Sequence, residues 1–235
     1  MLRKIAFIGM GGTIASIGTD AFDLLDYNAT GRRIDAGTLI ERTGFEGVLA
    51  RILPVDFRQI DSAAITPTDW LALAELCHDL ARDAELEGIV IGHGTASLEE
   101  TAWLLSLVLG LNIPVVLTGS MRPLTAISSD AHANLAAAIR VAAAPTIGPG
   151  VLVVVNDEIH SPRTVTKTHT LRLNAFQSPW FGPLGFVDGP FVTVERAHRK
   201  GHAGTFHHGL LEMLPRVDIV YSHIGADDHA VRAFV

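Results

Sequence analysis

The stretch from Ile91 to Pro123, IGHGTASLEETAWLLSLVLGLNIPVVLTGSMRP, constrains the fold more than any other part of this chain. The apolar run Ile89-Val90-Ile91 ends at Gly92-His93-Gly94-Thr95, and a helical pattern begins behind Ser97. Glu100, three residues on, is the expected capping-box partner of Ser97. After Gly110 and Asn112 a second apolar run, Ile113 to Leu117, stops at Thr118-Gly119-Ser120. This is a β-α-β unit with polar groups at both strand ends, which is where open α/β sheets bind ligands.

The chain has 235 residues, enough for one large core or for one domain and part of another. A net charge of −7, with only Arg32-Arg33 and Arg199-Lys200 as adjacent basic pairs, argues against nucleic-acid and anionic-membrane partners, which need clustered Lys and Arg. The apolar fraction of 48% raises the question of a membrane span between Ala102 and Leu117. Gly110, Asn112 and Pro114 interrupt that segment, so buried parallel strands explain it better. The single cysteine, Cys77, lies in a helical apolar stripe and reads as a buried core thiol. Lys4 to Gly9 reads as a first core strand rather than a signal peptide, and with the lone cysteine this leads to a cytoplasmic expectation.

In chain order, a strand at about Lys4 to Ile8 ends in Gly9-Met10-Gly11-Gly12-Thr13, a loop that offers amide N–H groups and a hydroxyl. A dinucleotide-binding fingerprint would need glycine at position 14, where Ile14 stands. Residues 17 to 45 read as one long loop of the lid or disordered kind. A strand near Val55 to Ile60 ends at Asp61-Ser62, and Thr66-Pro67 opens a helix with Trp70, Leu73, Ala74 and Cys77 at core spacing. Asp130 to Ala143 reads as an alanine-rich helix, followed by a buried strand from Val151 to Val155 and a loop carrying Lys167. Residues 182 to 208 read as a hairpin and then a linker. A helix at Leu210 to Leu214, a strand at Asp218 to Ser222 and a helix at Asp227 to Phe234 are expected beyond it. His198, His202, His207 and His208 lack the spacing and companion ligands of a metal site, so no metal is expected.

Thr13, Thr95, Lys167 and Ser62 therefore stand at or just beyond strand ends. A threonine hydroxyl becomes a nucleophile when a base takes its proton, and lysine serves as that base when burial or charge lowers its pKa. Glycine-loop amides would stabilise the oxyanion that results. The combination suggests acyl transfer.

Several motifs, taken together, resemble those of the bacterial-type L-asparaginase family. They are Gly11-Gly12-Thr13-Ile14-Ala15, His93-Gly94-Thr95 with Leu98-Glu99-Glu100-Thr101-Ala102, Thr118-Gly119-Ser120-Met121-Arg122-Pro123, Val154-Val155-Asn156-Asp157, Val165-Thr166-Lys167-Thr168 and Phe181-Gly182-Pro183-Leu184-Gly185. The resemblance runs in order along the chain. It implies an α/β fold with an open mixed or parallel sheet flanked by helices, spanning residues 1–190. A linker at 191–208 and the start of a smaller second α/β domain at 209–235 complete the expectation.

The resemblance further implies an amidohydrolase that releases ammonia from a side-chain carboxamide through a threonine acyl-enzyme, with no cofactor. By position, Thr13 is the nucleophile, Tyr27 its hydrogen-bonding tyrosine, and Thr95 and Lys167 the groups around the carboxamide or the attacking water. Gly12, Ser62, Ala63, Ala96 and Ser120 fall at substrate-binding positions. The implied partner is a small-molecule amide, and a homodimer or homotetramer is expected. Two positions depart from the family pattern. Ala96 stands where His-Gly-Thr-Asp would place the aspartate that binds the substrate α-ammonium, and Ala63 stands where a polar residue is usual. Either another acid, such as Asp61 or one from a partner chain, substitutes, or one of two alternatives follows: an amidase for an amide or imide lacking the α-amino group, or a non-catalytic small-molecule-binding relative. Family members run on by roughly a hundred residues into a small C-terminal domain that supplies an acid to a neighbouring subunit.

Overall fold

The computed structural model describes residues 2–196, 206, 207, 209 and 214–234. Its centre is a run of five parallel strands, β1 (Lys4–Gly9), β2 (Arg51–Asp56), β3 (Leu86–Gly92), β4 (Pro114–Thr118) and β5 (Gly150–Val155). Two consecutive left-handed residues, Asn156 (φ 51°) and Asp157 (φ 60°), turn the chain back into the antiparallel strand β6 (Glu158–His160). A two-stranded ribbon, β7 (Thr166–Lys167) with β8 (Phe176–Gln177), stands apart from the main sheet. The expected hairpin follows as β9 (Gly185–Asp188) and β10 (Phe191–Val194), giving the order β10-β9-β6-β5-β4-β3-β1-β2. The sheet thus continues to Val194, past position 190, where the sequence reading ended the domain.

The strands are apolar on both faces because both faces are covered. Side chains alternate across a strand, so Phe7, Val90, Val116 and Leu152 enter one core layer with the helices α1 (Ala36–Thr43) and α4 (Ala131–Ala143). Ile8, Ile89, Leu117 and Val153 enter the other, with α2 (Pro67–Leu80) and α3 (Leu98–Val108). Cys77 lies fully buried in α2, where desolvation pushes its thiol up to about 12 and leaves it inert.

Four expectations are corrected. Residues 17 to 45 are not one loop, because α1 forms within them. The Asp35 carboxylate accepts from the Thr38 N–H (2.6 Å), Leu39 and Ile40 face the core, and Gly44 ends the helix at φ 66°. The strand expected near Val55 to Ile60 lies earlier, as β2, and contains Pro54, which is tolerated because β2 is an edge strand paired only with β1. Ser97 does not form a capping box; that motif occurs instead between Thr66 and Asp69 at the start of α2. No strand forms at 218–222, where residues 214–234 are exposed and offer no ladder partner among the described residues. The helix expected near the end is present as α5 (His229–Phe234). The helix expected over Leu210 to Leu214 lies almost wholly outside the described residues, as do His198, His202 and His208.

Among the described residues, no helix is long and apolar enough to cross a membrane, and no cluster of His, Cys, Asp and Glu could hold a metal ion.

Candidate active site

The chain passes from β1 to β2 on one side and then returns to place β3 on the other side of β1, so the strand order reverses between β1 and β3. A crevice opens at such a point beyond the carboxyl ends of the strands. Thr13 follows β1 and Thr95 follows β3, which puts one hydroxyl on each lip.

Close backbone contact joins the two lips. Gly12 has φ 73°, and a Cβ placed on it would stand 2.4 Å from the Gly94 Cα, so no side chain fits there. A Cβ on Gly94 would likewise stand 2.6 Å from the Ser62 Oγ, bringing in the loop that follows β2. Three strand-end loops therefore meet around a cleft of about 160 Å³ lined by Gly12, Thr13, Tyr27, Ser62, Thr95, Ala96 and Lys167.

On the first lip, Thr13 opens a single 3-10 turn, Thr13–Ala15, and is 8% exposed. Its Oγ1 lies 2.8 Å from the Tyr27 hydroxyl. Tyr27 comes from a second 3-10 turn, Tyr27–Thr30, which folds over the glycine loop.

The second lip is held more firmly. The His93 N–H donates to the Thr118 carbonyl (2.8 Å), the Ala96 N–H to the Ser62 Oγ (3.1 Å), and the Ser97 hydroxyl to the Ser62 carbonyl (2.5 Å). That last bond is why Ser97 does not cap α3. Lys167 Nζ donates to Thr95 Oγ1 at 2.7 Å. Glu99, in the first turn of α3, fixes the ribbon that carries Lys167: its carboxylate accepts from the Thr166 hydroxyl (2.9 Å) and from the Lys167 N–H. Burial lowers the Lys167 pKa below the usual lysine range, and the Glu99 charge partly opposes that shift. A lysine so placed can exchange a proton with the Thr95 hydroxyl.

Of the positions expected from sequence, Thr13, Tyr27, Thr95, Lys167, Gly12, Ser62 and Ala96 meet in this cleft. Two do not join them. Ser120 is buried away from the cleft, where its hydroxyl donates to the Arg122 carbonyl (2.7 Å). Ala63 is exposed, with its N–H committed to the Asp61 carboxylate (3.1 Å). The cleft also includes Asp61, which the sequence offers as a stand-in for the missing aspartate, together with Asn28 and Arg33, for which the sequence gives no site role. Asn28 adjoins Tyr27, but Arg33 lies twenty residues after Thr13 and reaches the site only through tertiary pairing. Glu99 was visible as part of a motif, not as the anchor of the lysine.

Comparison with known proteins agrees with this architecture. Residues 4–200 match the family model described as "Asparaginase, N-terminal".

The chain belongs to the asparaginase family.

It is 37% identical over 235 residues to the glutaminase-asparaginase of Pseudomonas fluorescens biotype A, a match covering 99% of this chain and 64% of that protein. It is 36% identical to the probable periplasmic L-asparaginase of Haemophilus influenzae, covering 100% of this chain and 66% of that one. The chain thus spans about two thirds of the length of these asparaginase-family relatives. A crystal structure of the probable cytoplasmic L-asparaginase from Campylobacter jejuni superimposes with a TM-score of 0.87 at 37% identity, over 99% of this chain and 70% of that one.

Proposed function

We propose that the protein is an amidohydrolase that cleaves a side-chain carboxamide, in the first instance L-asparagine to L-aspartate and ammonia, through a threonine acyl-enzyme. The observation that carries this reading is the pairing of a lysine of lowered pKa with Thr95, across one cleft from a second threonine, Thr13.

In the proposed scheme the Thr13 Oγ attacks the carboxamide carbon and its proton passes to the Thr95–Lys167 pair. When Lys167 is neutral its lone pair accepts from Thr95 Oγ1–H, reversing the hydrogen bond seen between the two. Backbone amides of the glycine loops stabilise the oxyanion. Collapse of the tetrahedral intermediate breaks the C–N bond, and the proton held by the pair leaves with ammonia. Water then cleaves the Thr13 ester, aided by the same pair. Tyr27 orients the Thr13 hydroxyl and shields it from solvent.

Ala96 favours a second reading within the same chemistry. Its methyl lines the cleft where the family pattern leads one to expect an aspartate, so an amide or imide without an α-ammonium group would lose nothing here. For L-asparagine, a missing charge-assisted hydrogen bond costs about 1.5 to 3 kcal/mol. We further propose a homo-oligomer in the cytoplasm, with residues 209–235 as the start of a second domain. The lone buried cysteine suits a reducing compartment.

The test is ammonia release from L-asparagine, D-asparagine, L-glutamine, succinamate and simple imides, each beside Thr13→Ala. Release from L-asparagine that disappears in the mutant supports the first reading. Release from the des-amino compounds alone supports the second, and silence across the panel contradicts both.

A further inference from the structure

Within the Thr13–Thr95 cleft one charged group is unaccounted for. Arg33 is half-buried and lines the cleft, yet among the described residues its guanidinium has neither an ion-pair nor a hydrogen-bond partner. Its backbone is nonetheless held firmly. Arg33 faces Ser16 in an antiparallel bridge, flanked by Ile17 N–H to Arg32 carbonyl (2.9 Å) and Ile34 N–H to Ala15 carbonyl (3.0 Å). The side-chain stem lies against the glycine loop, with Cδ 3.5 Å from where a Cβ on Gly11 would stand. The chain thus holds a half-buried cation in the cleft that contains Thr13 and leaves its donors unspent.

A half-buried guanidinium with all its donors free, held at the edge of a cleft, is suited to a bidentate bond with an anion from outside. The other charges lining the cleft are Lys167, whose ammonium is engaged with Thr95, and Asp61, an exposed carboxylate already accepting from the Ala63 N–H. The Ser62 hydroxyl, whose oxygen accepts from Ala96, has a proton left to donate. These groups favour an anion and give no comparable buried partner for a cation. We propose that Arg33 is a specificity-determining residue that binds the carboxylate of the substrate. On the amide-hydrolysis reading, Arg33 then joins Ser62 at the substrate carboxylate, while the carboxamide lies between Thr13 and Thr95.

This inference rests on the amide-hydrolysis reading for its reaction but not for its binding step, and the experiment separates the two. Succinate, a dicarboxylate that cannot be hydrolysed, is titrated into the full chain by calorimetry, and succinamate and the neutral succindiamide are compared in ammonia release. Arg33→Gln is expected to weaken succinate binding about tenfold or more, the size of a lost charge-assisted hydrogen bond. It should also raise KM for succinamate more than it lowers kcat, and collapse the preference for succinamate over succindiamide. Arg33→Lys, which keeps the charge but not the fork, should recover part of both. The guanidinium makes no internal bond, so an unchanged melting temperature in both variants shows that the fold is intact. Unchanged succinate affinity in Arg33→Gln, or an unchanged preference between the two amides, would overturn the proposal. Arg33-dependent succinate binding in a chain that releases no ammonia from any amide would support the anion site and contradict the hydrolytic reading instead.

Discussion

The cleft sets two threonines side by side in very different surroundings. Thr13 begins a one-turn 3-10 segment, and its single side-chain partner is a phenol from an equally short turn. Thr95 follows a central strand beside a fully buried histidine, and its partner is a lysine whose own backbone is tied to α3 through Glu99. The difference assigns the labour. In the proposed mechanism the base belongs to the more heavily bonded lip, where burial lowers the lysine pKa, and the reacting hydroxyl to the lip with fewer bonds.

Replacing Lys167 breaks this comparison most severely. Lys167→Met keeps the length and packing of the side chain but removes the base, and kcat is expected to fall about 10²- to 10⁴-fold, in the range of general acid–base catalysis. A loss of less than about tenfold in steady-state ammonia release would mean that the rigid lip does not supply the base.

Acid attacks the same lip through its foundation. His93 is fully buried, its Nδ1 is 2.7 Å from the Gly94 carbonyl, and desolvation lowers its pKa from 6.5 to about 4. His160, the buried last residue of β6, is lowered to about 4 by desolvation as well. A folded-state pKa below the unfolded value means that both imidazoles favour folding when neutral. That stability is complete above pH 6.5 and is lost as pH falls towards 4, by as much as about 3 kcal/mol for each group. Melting temperature should therefore drop steeply across this window, and less so in His93→Asn. A flat profile would contradict the buried, neutral assignment.

Glu99→Gln sharpens the comparison without dismantling it. Burial lowers the Lys167 pKa and Glu99 raises it, so removing that charge should lower it further. In the proposed mechanism Lys167 acts in its neutral form, so the limb of kcat that rises with pH should move to lower pH. An unmoved limb would show that Glu99 acts on Lys167 only by holding its backbone. Tyr27→Phe should have the smallest effect, about tenfold or less in kcat, because one neutral hydrogen bond to Thr13 is worth about 0.5 to 1.5 kcal/mol. A loss as large as that of Lys167→Met would move the base to the Tyr27 side of the cleft.

Much of this was legible in the sequence because strand ends write themselves in residue types. The strands β1, β3 and β4 are apolar runs that stop at glycine and a polar residue, so Thr13 and Thr95 stand out, whereas Ser62 is marked only by its place beside Asp61. What escaped was set by tertiary contact or by a weak local signal. Asp35 as cap, Leu39-Ile40 as apolar face and Gly44 as stop do spell out α1, but the surrounding Gly, Asp and Asn masked them. Pro54 disguised an edge strand. The capping role given to Ser97 failed because its hydroxyl bonds to the Ser62 carbonyl, 35 residues away in sequence. Arg33 showed only as half of a basic pair, since it is its pairing with Ser16 that brings it to the cleft.

The most direct test of the central claim is to find which threonine becomes acylated. The protein is mixed with the amide it hydrolyses fastest, quenched in acid during steady-state turnover, and its peptides are weighed by mass spectrometry. The account predicts an ester adduct on the peptide containing Thr13, absent in Thr13→Ala and accumulating in Lys167→Met if water attack slows more than acylation. An adduct on Thr95 would contradict it.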